Sequence, residues 1–97
     1  MLTGKQRSYL RALAQKTDPS VIIGKNGVTE NVIREIDTLL EHRELVKVKA
    51  QESADIDIKE TANDIAGRLD AEFVQAIGRR FTLYRRAKED PVIVLPR

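Results

Sequence analysis

Between Val21 and Ala50 the hydrophobic pattern changes period twice, and this limits the folds open to the chain. Val21-Ile22-Ile23 is a β-branched run, the mark of a short strand. From about Val28 to His42 apolar residues recur at helical spacing: Val32, Ile36, Leu39 and Leu40 form a stripe, with Ile33 beside it and Thr29 as a candidate cap. Leu45 to Ala50 then alternates, which puts Val46, Val48 and Ala50 on one face and Leu45, Lys47 and Lys49 on the other. Strand, helix and strand in that order form a crossover unit, and such units join parallel strands with a right-handed path.

The flanking segments extend this unit. Leu2, Gln6, Tyr9, Leu10 and Leu13 follow a helical stripe, Thr3 can cap it, and Asp18-Pro19 ends it because the residue before proline disfavours the helical region. Beyond a polar loop at 51–56, Ile58, Ala62, Ile65, Ala66 and Leu69 predict a third helix over about Asp57 to Leu69. Glu72 to Ile77 and Phe81 to Arg86 predict two strands, joined as a hairpin through Gly78-Arg79-Arg80. Pro91 and Pro96 bracket Val92-Ile93-Val94-Leu95, which reads as either an edge strand or a tail lying on the body. The predicted order is α-β-α-β-α-β-β, with a mixed four-stranded sheet in an α/β (α+β) two-layer sandwich. A chain of 97 residues suits one domain, so residues 1–97 are expected to fold as a unit.

Several function classes are set aside by composition. There is no Cys, and the one His, His42, closes the second helix, where a solvated imidazole suits the helix dipole. Asp57, Glu60 and Asp64 share a helix face and read as solvated charges. With no nucleophile–base pair and no metal cluster in view, no enzymatic activity, cofactor or metal is expected. No apolar run approaches the roughly 18–20 residues that span a bilayer, and the start of the chain lacks an apolar secretion segment. A soluble cytoplasmic monomer with no membrane partner is the expectation. Aromatics are scarce: Phe73 and Phe81 are expected in the core, and Tyr84 partly buried on the opposite strand face.

Charge is unevenly spread. Residues 52–72 hold seven acids against two bases, whereas residues 79–88 hold five bases and no acid. Such a chain can present a basic face that draws polyanions despite a net charge of only +2. The segment Gly24-Lys25-Asn26-Gly27 sits between the first strand and the second helix. Glycines there let another chain approach without Cβ clash, and a helix entrance favours phosphate. The spacing does not fit a mononucleotide P-loop, because Thr29 and Glu30 follow where Lys-Ser/Thr would be required. Gly-x-x-Gly loops clamp the nucleic-acid backbone in KH modules, so a conventional KH domain is a rival reading.

At these residues the chain resembles the CRM (chloroplast RNA splicing and ribosome maturation) family, in its free-standing bacterial form. The resemblance rests on Leu2-Thr3-Gly4-Lys5-Gln6-Arg7, Ile22 to Glu30, Glu35-Ile36-Asp37, Glu44 to Lys49 and Gly78 to Arg85. It implies an RNA-binding module similar in shape to the C-terminal domain of a translation initiation factor. It further implies association with the precursor of the large ribosomal subunit (pre-50S) and its rRNA, since a single copy of the module is present. Its RNA-contacting loop maps onto Gly24, Lys25, Asn26 and Gly27. Its basic surface maps onto Lys5, Arg7, Lys47, Lys49, Arg79, Arg80, Arg85 and Arg86. A protein-interaction module that docks on a ribosomal protein is the alternative from another class.

Overall fold

The computed structural model describes residues 2–97. Helix α1 (Gly4–Gln15) begins with a capping box: the Thr3 side chain accepts from the Gln6 N–H, and the Gln6 side chain accepts from the Thr3 N–H. There follow β1 (Val21–Ile23), α2 (Glu30–Arg43), β2 (Leu45–Ala50), α3 (Ile58–Arg68), β3 (Glu72–Ile77) and β4 (Arg80–Tyr84). The order is the one the periodicities predict. Helix α2 starts later than Val28 because Thr29 is its cap and accepts from the Val32 N–H. Asp57 caps α3 in the same way, accepting from Glu60.

The strands form one mixed sheet in the order β1-β2-β4-β3. β1 and β2 are parallel, as the crossover requires, and β4 runs antiparallel to both of its neighbours. Val21, Ile23, Val46, Val48, Ala50, Phe81 and Leu83 cluster with Ile33, Ile36 and Leu40 of α2 and with Ala62, Ile65 and Ala66 of α3. This is the expected sheet-and-helix sandwich, in which each larger aliphatic contributes roughly 1.5–3 kcal/mol by leaving water.

Helix α1 covers the reverse face. Leu10 meets Leu45, Val74 and Tyr84 there, and Leu2, Leu13, Ile93 and Leu95 close the cluster. Alternation explains the placement: Leu45 and Tyr84 project away from Val46 and Leu83, so they need a cover of their own. Lys47 lies on this side too, and its Nζ donates to the Ala14 carbonyl, 3.1 Å away at the C-terminal end of α1, where the dipole favours a cation.

β3 contains a bulge. Phe73 pairs with Leu83 and Gln75 with Thr82, which leaves Val74 as the extra residue. Val74 packs under α1, and Gln75, beside Thr82, is on that same side of the sheet.

Residues 91–97 form no strand but lie as a tail on the body. Glu44 holds them. It is fully buried at the C-terminal end of α2, and its backbone is left-handed, with φ +67°. Its carboxylate accepts from the N–H groups of Ala87, Val92 and Ile93, each at 2.7 Å. Burial pushes this carboxyl up, but those three donors, with the Arg86 charge, outweigh burial and hold it below its ordinary value.

Candidate nucleic-acid interface

Strand register brings three loops to one end of the sheet. Ile23 pairs with Ala50, Lys49 with Arg80, and Arg80 with Ile77. The turn Gly24 to Gly27, the loop at 51–56 and the hairpin turn at Gly78-Arg79 therefore share that end.

The Gly24–Gly27 turn is closed by its own backbone, the Gly27 N–H donating to the Gly24 carbonyl at 2.9 Å. Gly27 has φ +73°, a conformation glycine takes without strain. At Gly24 an added Cβ would come within 3.2 Å of Gln51 Oε1. Lys25 and Asn26 stand exposed at the tip, and among the described residues their N–H groups have no hydrogen-bond partner. The turn thus offers cation, amide and open backbone together.

The start of α2 differs from expectation. Thr29 already takes one of its N–H groups, and Glu30 stands in its first turn. The Arg68 guanidinium donates to both Glu30 oxygens, at 2.7 and 2.8 Å, and holds that carboxyl below its ordinary value. The helix entrance is therefore shared with a carboxylate, and the turn preceding it is the freer place for a phosphate.

The expected basic residues fall into two groups. Lys25, Lys49 and Arg80 are at the loop end, exposed, and among the described residues their side chains have no internal partner. Arg79 is also at this end, but it works as a tether. Its guanidinium donates to the carbonyls of Ala50 at 3.3 Å, Gln51 at 2.7 Å and Ala54 at 2.6 Å. We expect Arg79→Ala to cost about 2–3 kcal/mol, because charge-assisted bonds to half-buried carbonyls are lost. Arg80→Ala should leave thermal unfolding unchanged, and a denaturation series on the two variants checks the contrast.

The second group is at the opposite end. Lys5 and Arg86 are exposed there. Arg7 donates to the Phe73 carbonyl. Arg85 bonds Asp37 Oδ1 at 2.7 Å, the Leu69 carbonyl at 3.0 Å and the Asp37 carbonyl at 3.1 Å. At about 3.4 Å per residue, Arg85 is roughly 17 Å along the strand from Arg80. Arg7, Lys47, Arg79 and Arg85 thus spend their charges inside the fold, and the pairing of Lys47 with α1 was not readable from strand alternation.

A strand, β1, leads into the glycine turn, where a conventional KH module has a helix on both sides. The sequence profile of the CRS1/YhbY (CRM) domain matches residues 2–85. The chain belongs to the CRM family. A probable RNA-binding protein of Bacillus subtilis, YqeI, is 38% identical to this CRM protein over 96 residues, covering 99% of this chain and 100% of its own. A Haemophilus influenzae protein named RNA-binding protein is 42% identical over 97 residues, covering 99% and 96% of the two chains. The solution structure of the Staphylococcus aureus protein SAV1595 is similar in fold, with a TM-score of 0.82 at 47% identity, covering 99% of this chain and 100% of that one. Among the described residues of this CRM chain no His, Asp and Glu group could hold a metal, and no helix is long and apolar enough to cross a membrane.

Lys49 and Arg80, expected from the sequence, are flanked by two residues that were not, Ile22 and Ile77. Ile22, Lys49, Arg80 and Ile77 are successive partners across all four strands, on the α1 side of the sheet and exposed. Ile22 and Ile77 are 55% and 61% exposed. The signal was present in the alternation of β2, but β3 and β4 had to be put in register to complete the row.

Proposed function

We propose that this protein binds RNA through the nucleic-acid backbone and acts as an accessory of large ribosomal subunit assembly, without chemistry of its own. The observation that carries the reading is the convergence of an exposed glycine turn with three unspent cations, Lys25, Lys49 and Arg80, at one end of the sheet. Phosphates approach the Gly24–Gly27 backbone, Asn26 donates from the tip, and the cations hold neighbouring phosphates. The relatives named as RNA-binding proteins support the same class of ligand.

Association measured against salt tests this. Binding of a single-stranded RNA should fall linearly on logarithmic axes, with a slope near −0.7 for each phosphate neutralised. Replacing Lys25, Lys49 and Arg80 one at a time by Ala should each flatten the slope by about 0.7, whereas Arg85→Ala should not. Crosslinking in cells followed by sequencing of attached RNA identifies the partner. Recovery of a defined large-subunit rRNA site is expected, and reads spread evenly over cellular RNA would defeat the assembly role.

A further inference from the structure

The open half of the sheet face beside α1 contains a cleft of about 320 Å³ lined by Gln15, Lys47, Gln75, Ile77, Arg80 and Thr82. Its floor has an unusual feature. Thr82 is only 1% exposed, and its hydroxyl has no hydrogen-bond partner among the described residues. A buried hydroxyl without a partner costs stability, so its retention needs a reason. Valine has almost the same shape and would avoid the cost.

The bulge in β3 points to that reason. It sets two consecutive residues, Val74 and Gln75, on this face, with Gln75 opposite Thr82. Bulges commonly re-aim a side chain at a functional position. In a regular strand that kept Val74 in the ladder, alternation would send Gln75 to the other side of the sheet. Gln75 and Gln15 bring two primary amides to the cleft, each both donor and acceptor. Ile77 supplies an apolar wall, and Arg80, exposed and unpaired, supplies a planar cation that is free to swing over the opening.

We infer that this cleft receives one unstacked base of the bound RNA and reads its edge. The inference rests on the RNA-binding reading above and adds base selectivity to it. A phosphate would use only the donor half of each amide and would leave both carbonyls idle. A nucleobase is planar and presents donors and acceptors on one edge, which matches two amides and a hydroxyl. It can lie against Ile77 and under the plane of the Arg80 guanidinium, whose N–H edge still reaches a phosphate, since single-stranded RNA bases stack on arginine planes as well as on aromatic rings. Lys49, next to Arg80 in the register, holds the adjoining phosphate. Such reading needs no exposed aromatic platform, because the edge is read from a cleft.

The test uses the full chain and four random RNA decamer pools, each lacking one base. The pool without the favoured base should bind about tenfold more weakly than the other three, the discrimination typical of a paired edge contact. Thr82→Val and Gln75→Ala should each bring the three tighter pools down toward the weak one. Thr82→Val should do so while the free protein unfolds at the same temperature or higher, a result that separates ligand contact from fold support. If all four pools bind alike, or if both variants keep the preference, the base cleft is overturned and backbone binding stands. Failure of every pool to bind would overturn the RNA reading itself and the cleft with it.

Discussion

Glu44→Ala is expected to lower folding stability by about 3–5 kcal/mol, the loss typical of breaking a buried charged network. In a domain of this size that corresponds to a fall in Tm of at least about 12 °C. Glu44 is fully buried, and its carboxylate satisfies three backbone donors that belong to a segment without regular structure. Once the carboxylate is gone, the N–H groups of Ala87, Val92 and Ile93 have no substitute in the core, and the tail can regain solvent only by leaving α1. Hydrogen exchange should then show loss of protection at Val92 and Ile93 before the sheet opens. Glu44→Gln keeps an acceptor but no charge, and should cost about 2 kcal/mol. The pH dependence follows from the lowered carboxyl. Glu44 contributes its full stabilisation above its unfolded value of 4.5 and loses it as pH falls through the lower folded value. Wild type should therefore weaken in that acid range relative to Glu44→Gln, whose amide does not titrate. Urea midpoints of the two proteins between neutral and acid pH decide the matter. A Glu44→Ala protein within about 1 kcal/mol of wild type would remove the anchor from this account.

Glu44 also shows where the sequence stopped being legible. A Glu at the end of an amphipathic helix reads as one more solvated acid, and nothing nearby marks a left-handed backbone, which usually takes Gly or Asn. Its partners are more than forty residues away, so local periodicity holds no trace of them. The helices and strands themselves were readable because each buries one face, and a buried face imposes its period on the sequence. Thr3 and Thr29 were readable as caps because capping is a contact within three residues. The basic residues divide along the same line. An arginine on a strand or hairpin looks the same whether it awaits a phosphate or clasps three carbonyls, as Arg79 does. Only the assembled loops distinguish it from Arg80. The bulge at Val74 escaped for a related reason: alternation in β3 is broken by one residue, and the break shows only against the register of β4.

Gly27→Asp should weaken RNA binding by about 5- to 150-fold, since a carboxylate roughly 5 Å from a phosphate at a protein surface costs about 1–3 kcal/mol. The chain should still fold. Within the protein a Cβ at Gly27 meets nothing within 4 Å, and Asp is among the residues that tolerate a left-handed backbone. Gly27→Asn is the matched control. It has the same shape and the same backbone cost but no charge, so it should lose about threefold at most from the bulk added to the approach path. The gap between the two variants is then the electrostatic part, and it should narrow as salt is raised because the turn is exposed to screening ions. The carboxylate of Glu30 makes the contrast sharper, because the neighbouring helix entrance already holds one negative charge that is balanced by Arg68. A second one at Gly27 would have only Lys25 beside it, the cation assigned to the phosphate. Equal binding by the Asp and Asn variants at low salt would mean that no phosphate comes near this turn, and Lys25 would have to be treated as an ordinary surface lysine.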